Sequence, residues 1–491
     1  MKEKMKDMIK KGKWLGNTML TVLLIAVVVA IVIALNVFVN KQNISDIDLT
    51  KEKLYSLSEE SKGKVGNVTQ NTKIILYGMS DYPEVLNYVK LYNKENSNIT
   101  YEELEDATTR PELQQKYGLG TSVTGGVVII EAGARNKIIS ANDFYTYDYT
   151  TYEQYDVTEQ AITNAIMDVN LEQKPKVYFV TNHAQNLGYY QVAKEVLKNE
   201  ANDVEDLDLL VEAKVPDDCN VLVLTTLKED FSEYERDIIL NYINNGGNMM
   251  ILSDPNTANV DLTNFQTILD LYGVSISNGV VYEQNTSKII NGYANIIIPQ
   301  VNNYSDITKY IASDGKLALL NAGIIEFKSS DKLKTLGVTR EDLITTTNTS
   351  FLRTDMTIET SNIDDKDQEL SGETIATLLT KDISEGKNSK LILCANSLFI
   401  SDMSISLNSS SSSSSTKIVS INLYNNRDFI VNTMSYLANR KDNIVIRKDT
   451  GVATYTATAK EDSIIRTIII AIPIIIILIG IVVWQVRRRK K

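Results

Sequence analysis

The chain has 491 residues, of which 43% are hydrophobic, enough to build more than one folded core. Its 62 acidic residues outnumber its 50 basic residues, and the formal net charge at pH 7 is −12. Because nucleic-acid binding relies on lysine and arginine to neutralise phosphates, this balance argues against DNA or RNA as a partner. The two cysteines, Cys219 and Cys394, are too few for a disulfide framework and lack redox or metal spacing, so we expect buried structural thiols.

The first element is an apolar run over residues 19–39, which follows a basic tail, residues 1–18, with six lysines. The run is long enough to span a membrane, because a transmembrane helix needs about 20 residues. A cleaved signal peptide is the alternative, but the run is long for one and Val39-Asn40-Lys41-Gln42 lacks the small residues of a cleavage site. We therefore predict an uncleaved transmembrane helix.

Residues 45–150 show strands and helices in the order β-α-β-α-β-β. The strands are predicted from KIILYG, ITYEELE, GGVVIIEAG and the hairpin-closing KIIS. The helices are EVLNYVKLYNKE, with apolar residues on one face, and PELQQKYG, which begins with a proline. This order resembles a thioredoxin-like domain. Since the CxxC pair is absent, the resemblance concerns the fold alone, and we expect no redox activity.

Residues 158–445 alternate strands with helices, the pattern of a doubly wound α/β sheet. The helix DVTEQAITNAIMDV leads into the strand KVYFVTNH, and the helix NLGYYQVAKEVLKNE is followed by EDLDLLV, which we interpret as a strand. NVLVLTT has an unbroken apolar core, as strands of parallel sheets do. Ser232 and Glu235 have the spacing of a capping box, and Gly246-Gly247 predicts the helix end before the strand MMILSD.

Other parts of this domain depart from the alternating pattern. Residues 292–370 have a weaker pattern, which we interpret as an insertion or a small β-rich elaboration, with NIDDKDQE as a solvated loop. The serine run within residues 408–416 cannot bury apolar area and predicts a flexible surface loop. Asn426-Arg427-Asp428 precedes the apolar run FIVNTMSYL, so we expect helix N-capping and a structural ion pair there.

A second apolar run covers residues 464–486, after a juxtamembrane segment, residues 446–463, and before a basic tail, residues 487–491. The chain's two tryptophans, Trp14 and Trp484, lie at the outer ends of the two runs, as interfacial anchors do. Because lysine and arginine concentrate on the cytoplasmic side of a membrane, both termini are predicted to be cytoplasmic. The prediction is a cell-membrane protein with two spans and most of its chain outside the cytoplasm.

Four segments occur in order between and beside these spans: DLTKEKLYSLSEESK, TEQAITNAI before KPKVYFVTNH, DDCNVLVLTT through NNGGNMMILSDP, and NNRDFIVNTMSYLANR. In this order and layout the chain resembles the GldG family, auxiliary components of ABC-type transport systems. The resemblance implies a permease and an ATPase as partners, and a class I glutamine-amidotransferase-like sheet in the second domain. Two loops differ from that family: Asn182-His183-Ala184-Gln185 replaces a Gly-His-Gly-Glu-like loop, and Ala395-Asn396-Ser397 replaces Gly-Asp-Ser. A ligand shared with the family is therefore not implied.

Ligands of open α/β sheets bind beyond the carboxyl ends of the strands. The candidate ligand- or partner-binding residues are therefore Asn182, His183, Thr226, Ser253 and Asp254, with Asn396-Ser397 at a further strand end. His183 is the single histidine, so a catalytic Cys–His pair would have to be Cys394–His183, which the local pattern does not support. We predict no catalytic residues, no metal site and no cofactor, and the chain has no P-loop of its own.

Three functions from different classes follow from these features. The one we favour is a non-enzymatic, membrane-anchored auxiliary subunit of an ABC-type transport system, whose ectodomain binds a cargo, an envelope component or another protein. The second is a stand-alone envelope- or glycan-binding scaffold protein. The third is a cryptic hydrolase or amidotransferase that uses His183.

Overall fold

The computed structural model describes residues 56–104, 111–117, 119, 126–148, 153–171, 173–183, 187–309, 311, 316–358, 360–408 and 415–440. Both predicted membrane spans, the basic tails, the juxtamembrane segment and most of the serine loop lie outside the described residues. Within those ranges, no helix is both long and apolar enough to cross a membrane. The described residues from Leu57 onward belong to one compact unit.

A four-stranded sheet forms the N-terminal part of this unit. Its elements are, in chain order, α1 (Glu59–Gly66), β1 (Thr72–Tyr77), α2 (Pro83–Glu95), β2 (Ile99–Leu104), α3 (Pro111–Tyr117), β3 (Val127–Ala132) and β4 (Arg135–Ser140), followed by the hairpin β5 (Tyr145–Asp148) and β6 (Glu153–Asp156). The strand order is β2-β1-β3-β4, in which β1 and β2 are parallel and the other pairs are antiparallel. The predicted order β-α-β-α-β-β is confirmed.

The helix α4 (Thr158–Asn170) packs on this four-stranded sheet, whereas the sequence pattern places it at the start of the second domain. Its residues Ile162, Ile166 and Val169 share a buried core with β1, β3 and α2. An amphipathic pattern shows which face of a helix is apolar but not which sheet covers it. The domain boundary near residue 158 stays a prediction.

The rest of the described chain contains a second, eight-stranded sheet, several smaller sheets and the helices between them. The elements are β7 (Lys176–Val180), α5 (Gln191–Asn199), β8 (Asp203–Leu207), α6 (Leu209–Glu212), β9 (Cys219–Leu224), α7 (Glu233–Asn244), β10 (Met249–Leu252), α8 (Thr263–Asp270), β11 (Val274–Ile276), β12 (Val280–Glu283), β13 (Ile289–Ile290), β14 (Tyr293–Ile297), β15 (Gln300–Val301), β16 (Leu319–Leu320), β17 (Ile325–Phe327), α9 (Ser330–Thr335), β18 (Val338–Thr345), β19 (Ser350–Arg353), β20 (Gln368–Glu369), β21 (Thr374–Ser384), β22 (Lys387–Cys394), β23 (Ser404–Asn408), β24 (Ser415–Val419) and α10 (Asn426–Leu437). The sheet has the order β15-β18-β21-β22-β10-β9-β7-β8.

Five neighbouring strands of this sheet, β22, β10, β9, β7 and β8, are parallel. Side chains of β9 alternate between two buried cores: Val221 and Val223 belong to one, Leu222 and Leu224 to the other. Burial on both faces explains the unbroken apolar run that predicts a parallel strand. The prediction of an α/β protein with a parallel sheet is confirmed, but a wholly parallel sheet is wrong, because β21, β18 and β15 extend it with antiparallel pairings.

Residues 292–370 are β-rich, as predicted, but they are not only an elaboration. Strands β15 and β18 from this segment belong to the main sheet. Others form small sheets with strands that precede the segment: β19 and β20 with β12, and β14 and β16 with β13. The weak pattern has a physical reason: strands of two to five residues, apart from β18, are too short to show a periodicity.

The predicted helix ends and caps are confirmed around α7, whereas EDLDLLV is not one strand. Ser232 and Glu235 form the complete capping box, and Gly246 follows the helix with φ +80°. Strand β8 ends at Leu207, because the side chain of Asp208 accepts hydrogen bonds from the N–H groups of Leu210 and Val211 and caps the short helix α6.

Candidate functional site

The carboxyl ends of β22, β10, β9 and β7 lie side by side at one edge of the eight-stranded sheet. The residues that follow these strands are Ser397, Asp254, Thr226 and the pair Asn182-His183. These are the strand ends that the sequence pattern predicts. The candidate residues therefore share one edge, but they form two separate groups of contacts.

Asp254 is the centre of the first group. Its Oδ1 accepts a hydrogen bond from the backbone N–H of Ser397 at 2.6 Å, and its Oδ2 accepts from the hydroxyls of Ser397 at 2.6 Å and Thr226 at 2.8 Å. The N–H of Asp254 donates to Thr226 Oγ1 at 2.8 Å, and the Tyr190 hydroxyl donates to Ser397 Oγ at 3.0 Å. This Asp254 cluster ties the ends of β9, β10 and β22 to the 3-10 helix Leu187–Tyr190.

Hydroxyl and thiol groups in and beside the Asp254 cluster are buried. Ser397 is fully buried, and its hydroxyl donates to a carboxylate. Burial raises the pKa of the Cys394 thiol, at the end of β22, and the negative charge of Asp254 raises it further. Burial also raises the pKa of Tyr190 to about 12, with a smaller contribution from Asp254. The hydrogen bonds of this cluster therefore cross-link the ends of three strands, and burial favours the protonated forms of the thiol and the phenol.

Both cysteines are structural thiols by their surroundings. Cys394 is fully buried, as predicted. Cys219 is only partly buried, and its Sγ lies 3.5 Å from the Tyr242 hydroxyl; burial raises its thiol pKa to about 12. In the part of the chain that the structure describes, no cluster of three or more His, Cys, Asp or Glu side chains could hold a metal ion.

His183 belongs to the second group of contacts. Its Nε2 lies 2.9 Å from Oε1 of Glu235, and both side chains are buried. The imidazole and the Phe231 ring make an edge-to-face contact with centroids 4.4 Å apart. The other oxygen of Glu235 accepts from the N–H and hydroxyl of Ser232 at 2.9 and 2.7 Å. His183 is therefore joined to the capping box of α7 through the Glu235 carboxylate.

Asn182 lies beside His183 and has a positive φ of 74°, a conformation that asparagine tolerates better than most residues. Its side-chain amide donates to the carboxylate of Asp208, the cap of α6. The Asn182-His183 dipeptide thus contacts the beginnings of two helices, α6 and α7.

The structure divides the five candidates accordingly: Thr226, Ser253 and Asp254 belong to the Asp254 cluster, and Asn182 and His183 to the helix starts. Ser253 is buried, and its N–H donates to the Cys394 carbonyl at 3.0 Å. Tyr190 was missed, because the helical pattern around it gives no sign of a partner more than 200 residues away. Binding by any of the five residues stays a prediction.

Substitution Asp254→Asn should destabilise the protein by about 2 kcal/mol, because an amide places a donor where both carboxylate oxygens accept hydrogen bonds. The buried N–H of Ser397 or the hydroxyls of Ser397 and Thr226 would then lose an acceptor. The measurement is urea unfolding of the purified protein. Asp237→Asn, on the exposed side of α7, is the matched control and should cost less than about 0.5 kcal/mol. Equal effects of the two substitutions would contradict the assigned role of Asp254.

No curated protein matches this sequence. Among solved structures, the mmIFT52 N-terminal domain aligns with 11% identity and a TM-score of 0.38, over 53% of this chain and 97% of that chain. A putative ThuA-like protein from Parabacteroides merdae aligns with 11% identity and a TM-score of 0.34, over 58% and 96%. A putative GMP synthase protein from Thermoplasma acidophilum aligns with 9% identity and a TM-score of 0.28, over 55% and 98%. At these scores neither the activities nor the detailed folds of these proteins transfer to this chain.

A family described as an ABC-type uncharacterized transport system matches residues 174–433. This range is more than half of the chain. It begins just before β7 and ends within α10, so it contains the whole eight-stranded sheet and the Asp254 cluster. The chain belongs to this family and is an auxiliary component of an ABC-type transport system.

Proposed function

We propose that the protein is a non-enzymatic subunit of the GldG type, anchored in the cell membrane by residues 19–39 and 464–486, with both termini cytoplasmic. Its ectodomain would combine a thioredoxin-like first domain with an amidotransferase-like second domain, and its carboxyl sheet edge would contact a partner or cargo. Membership of the transport family and the two apolar runs support this proposal. Since the sequence contains no P-loop, ATP hydrolysis would come from another protein of the assembly.

The observation that carries the non-enzymatic part is the burial of Ser397. Its hydroxyl is bonded to Asp254 and Tyr190, whereas the single histidine is bonded to Glu235 on another helix. A Ser–His or Cys–His mechanism needs the base within hydrogen-bond reach of the nucleophile. The contacts of His183 and Ser397 instead support a binding or scaffolding role for this edge.

The two ends of the described region, at Ser58 and Arg440, are both connected to helix α4. Ser58 donates to Oε1 of Glu159 from its N–H and its hydroxyl, each at 2.7 Å. Arg440 donates to the carbonyl of Ala201 at 3.2 Å, and the adjacent Glu200 carboxylate accepts from Asn164 at 2.8 Å. Glu159 and Asn164 are about 7–8 Å apart along the helix. Both ends of the described region thus connect to the same helix, directly or through residues 200–201, and this arrangement is compatible with the proposed two-anchor topology.

The test is affinity purification of the tagged full-length protein from gently solubilised membranes, with mass spectrometry of the co-purifying proteins. We expect an ATPase and a multi-span permease in every replicate. A tagged two-span protein of unrelated sequence, produced at the same level, controls for adhesion to the resin. Repeated recovery of the intact, folded protein without either of these partners would overturn the proposal and favour the stand-alone envelope- or glycan-binding scaffold.

A further inference from the structure

Three large apolar side chains are exposed near the Asn182-His183 dipeptide. Leu210 and Val211 of α6 are 57% and 73% exposed, and Tyr234 in the first turn of α7 is 54% exposed. Helix α6 follows β8 and α7 follows β9, and both strands are parallel to β7, so the two helices begin at the carboxyl edge of the sheet. A single exposed apolar side chain needs no explanation, but three on neighbouring elements indicate a contact surface.

The Asn182-His183 dipeptide holds the two helix starts together. Asn182 donates to Asp208, two residues before Leu210, and His183 contacts Glu235, the residue after Tyr234. Because the two bridging residues are consecutive, the beginnings of α6 and α7 lie on either side of one short loop, and the two helices contact each other. We call Leu210, Val211 and Tyr234 the apolar edge surface.

Acidic side chains without a basic partner accompany the apolar edge surface. Glu212, Glu229 and Glu233 are exposed, and within the described residues none of them forms an ion pair, whereas nearby Asp237 pairs with Arg236 at 2.8 Å. The loop that carries Glu229 is adjacent to the dipeptide, because the N–H of Lys228 donates to the His183 carbonyl at 3.2 Å. We call Glu212, Glu229 and Glu233 the acidic rim of this surface. Its three carboxylates outnumber the one nearby lysine, Lys228, so the rim has an excess of negative charge.

We propose that the apolar edge surface binds a cationic, amphipathic segment of a partner protein outside the cytoplasm. The proposal rests on the function proposed above and names the partner chemistry of the same sheet edge. Lysine or arginine side chains of such a segment would pair with the rim carboxylates, and its apolar face would cover Leu210, Val211 and Tyr234. A second copy of this chain is a poorer occupant, since a symmetric contact would place equal negative rims against each other.

The experiment measures binding of a fluorescent synthetic peptide to the purified full-length protein in detergent, with empty micelles as the blank. The peptide has about 14 residues, with lysine and leucine at helical spacing. Two matched peptides replace every lysine with glutamate, or every leucine with serine. The test variants are the double substitution Leu210→Ser/Val211→Ser and the double substitution Glu212→Gln/Glu229→Gln. The control variant is Tyr304→Ser. This tyrosine is 89% exposed and lies about 70 or more residues from the apolar edge surface in the sequence.

We expect the lysine–leucine peptide to bind wild type and Tyr304→Ser equally, and each double variant at least about tenfold more weakly. Binding should weaken at about 0.5 M salt, because the rim charges become screened. Unchanged affinity in the Leu210→Ser/Val211→Ser variant, or equal binding of the glutamate peptide, would overturn the proposal. A wild-type dimer that this variant converts to a monomer would identify a second copy as the occupant and also overturn it.

The same variants separate this inference from the proposed transport function. If the ATPase and permease co-purify with wild type and with both double variants but the peptide does not bind, the docking surface is wrong and the transport role stands. If the peptide binds in the expected manner but neither the ATPase nor the permease co-purifies, the docking surface stands and the transport role is wrong.

Discussion

Substitution of Arg353 by methionine should destabilise the folded protein by about 3–5 kcal/mol, because it leaves a buried carboxylate without its partner. The side chains of Arg353 and Asp367 are 0% and 1% exposed, and they form two hydrogen bonds, Nη2 to Oδ2 at 2.6 Å and Nε to Oδ1 at 3.1 Å. The guanidinium also lies 4.7 Å from the centre of the Tyr282 ring. Methionine keeps much of the apolar stem and removes the charge. Urea unfolding of the purified protein measures the effect.

A double substitution and an exposed ion pair serve as controls for Arg353→Met. Adding Asp367→Leu removes the orphaned charge, so the double variant should regain a large part of the lost stability. Lys328→Met removes the partner of Asp270 from an ion pair of 2.7 Å whose side chains are nearly half exposed, and should cost less than about 1 kcal/mol. If Arg353→Met costs no more than Lys328→Met, the pair does not stabilise the fold.

The pH dependence provides an independent check on the buried charge. Burial acts to raise the pKa of Asp367, but hydrogen bonds from Arg353 and from the N–H of Asp364 outweigh it and lower the pKa below its usual value. The stabilisation is therefore present above about pH 4 and is lost as the pH falls through the lowered pKa. In Arg353→Met the carboxyl favours its protonated form instead. The difference in unfolding free energy between wild type and variant should therefore shrink between pH 7 and pH 4.

The central parallel strands of the large sheet could be predicted from the sequence, because β7, β9 and β10 are buried over most of their length. Residues 221–224 of β9 and the whole of its neighbour β10 are continuous apolar runs, and a capping box and glycines mark the helix between them. Parallel strands end at a common edge, so locating the strands also located the candidate residues Thr226 and Asp254. Their contact in the structure follows from that rule.

Features that depend on distant partners could not be predicted in the same way. The acidic stretch NIDDKDQE has the composition of a solvated loop, yet its residue Asp367 is buried. The reason is an ion pair with Arg353 on strand β19, 14 residues earlier in the chain, which the composition of the stretch does not reveal. A local contact can also override a pattern: EDLDLLV alternates like a strand, but the side chain of Asp208 caps α6 and the strand ends before it. The sequence predicts His183 at a strand end and Glu235 in a capping box, but not their contact with each other. One carboxylate serves both, because its two oxygens bond to different partners.

Substitution of Asn426 by alanine should cost about 3 kcal/mol of unfolding free energy, because this side chain joins three chain segments inside the protein. The fully buried amide donates to the carbonyls of Ala318 at 2.8 Å, Ser420 at 3.0 Å and Phe399 at 3.3 Å, and its oxygen accepts from the Ala318 N–H at 3.0 Å. Alanine would leave these buried backbone groups without a partner and open a small cavity. Urea unfolding again measures the loss.

The substitution Asn426→Asp distinguishes this role from the helix cap that the sequence predicts. The predicted cap is wrong, because Asn426 is the first residue of α10 and its side chain bonds to other segments, while the neighbouring Asn425 donates to Asp428 at 2.9 Å. Aspartate replaces asparagine at a helix cap with little change in stability, so a cap would tolerate the substitution. Here a carboxylate oxygen would face carbonyl oxygens in a buried site, so Asn426→Asp should be at least as destabilising as the alanine variant.

Asn285→Asp, at an exposed asparagine that caps the turn Thr286–Lys288, is the matched control and should change stability by less than about 0.5 kcal/mol. A tolerated aspartate at residue 426 would return Asn426 to the capping role and remove the proposed link between the three segments.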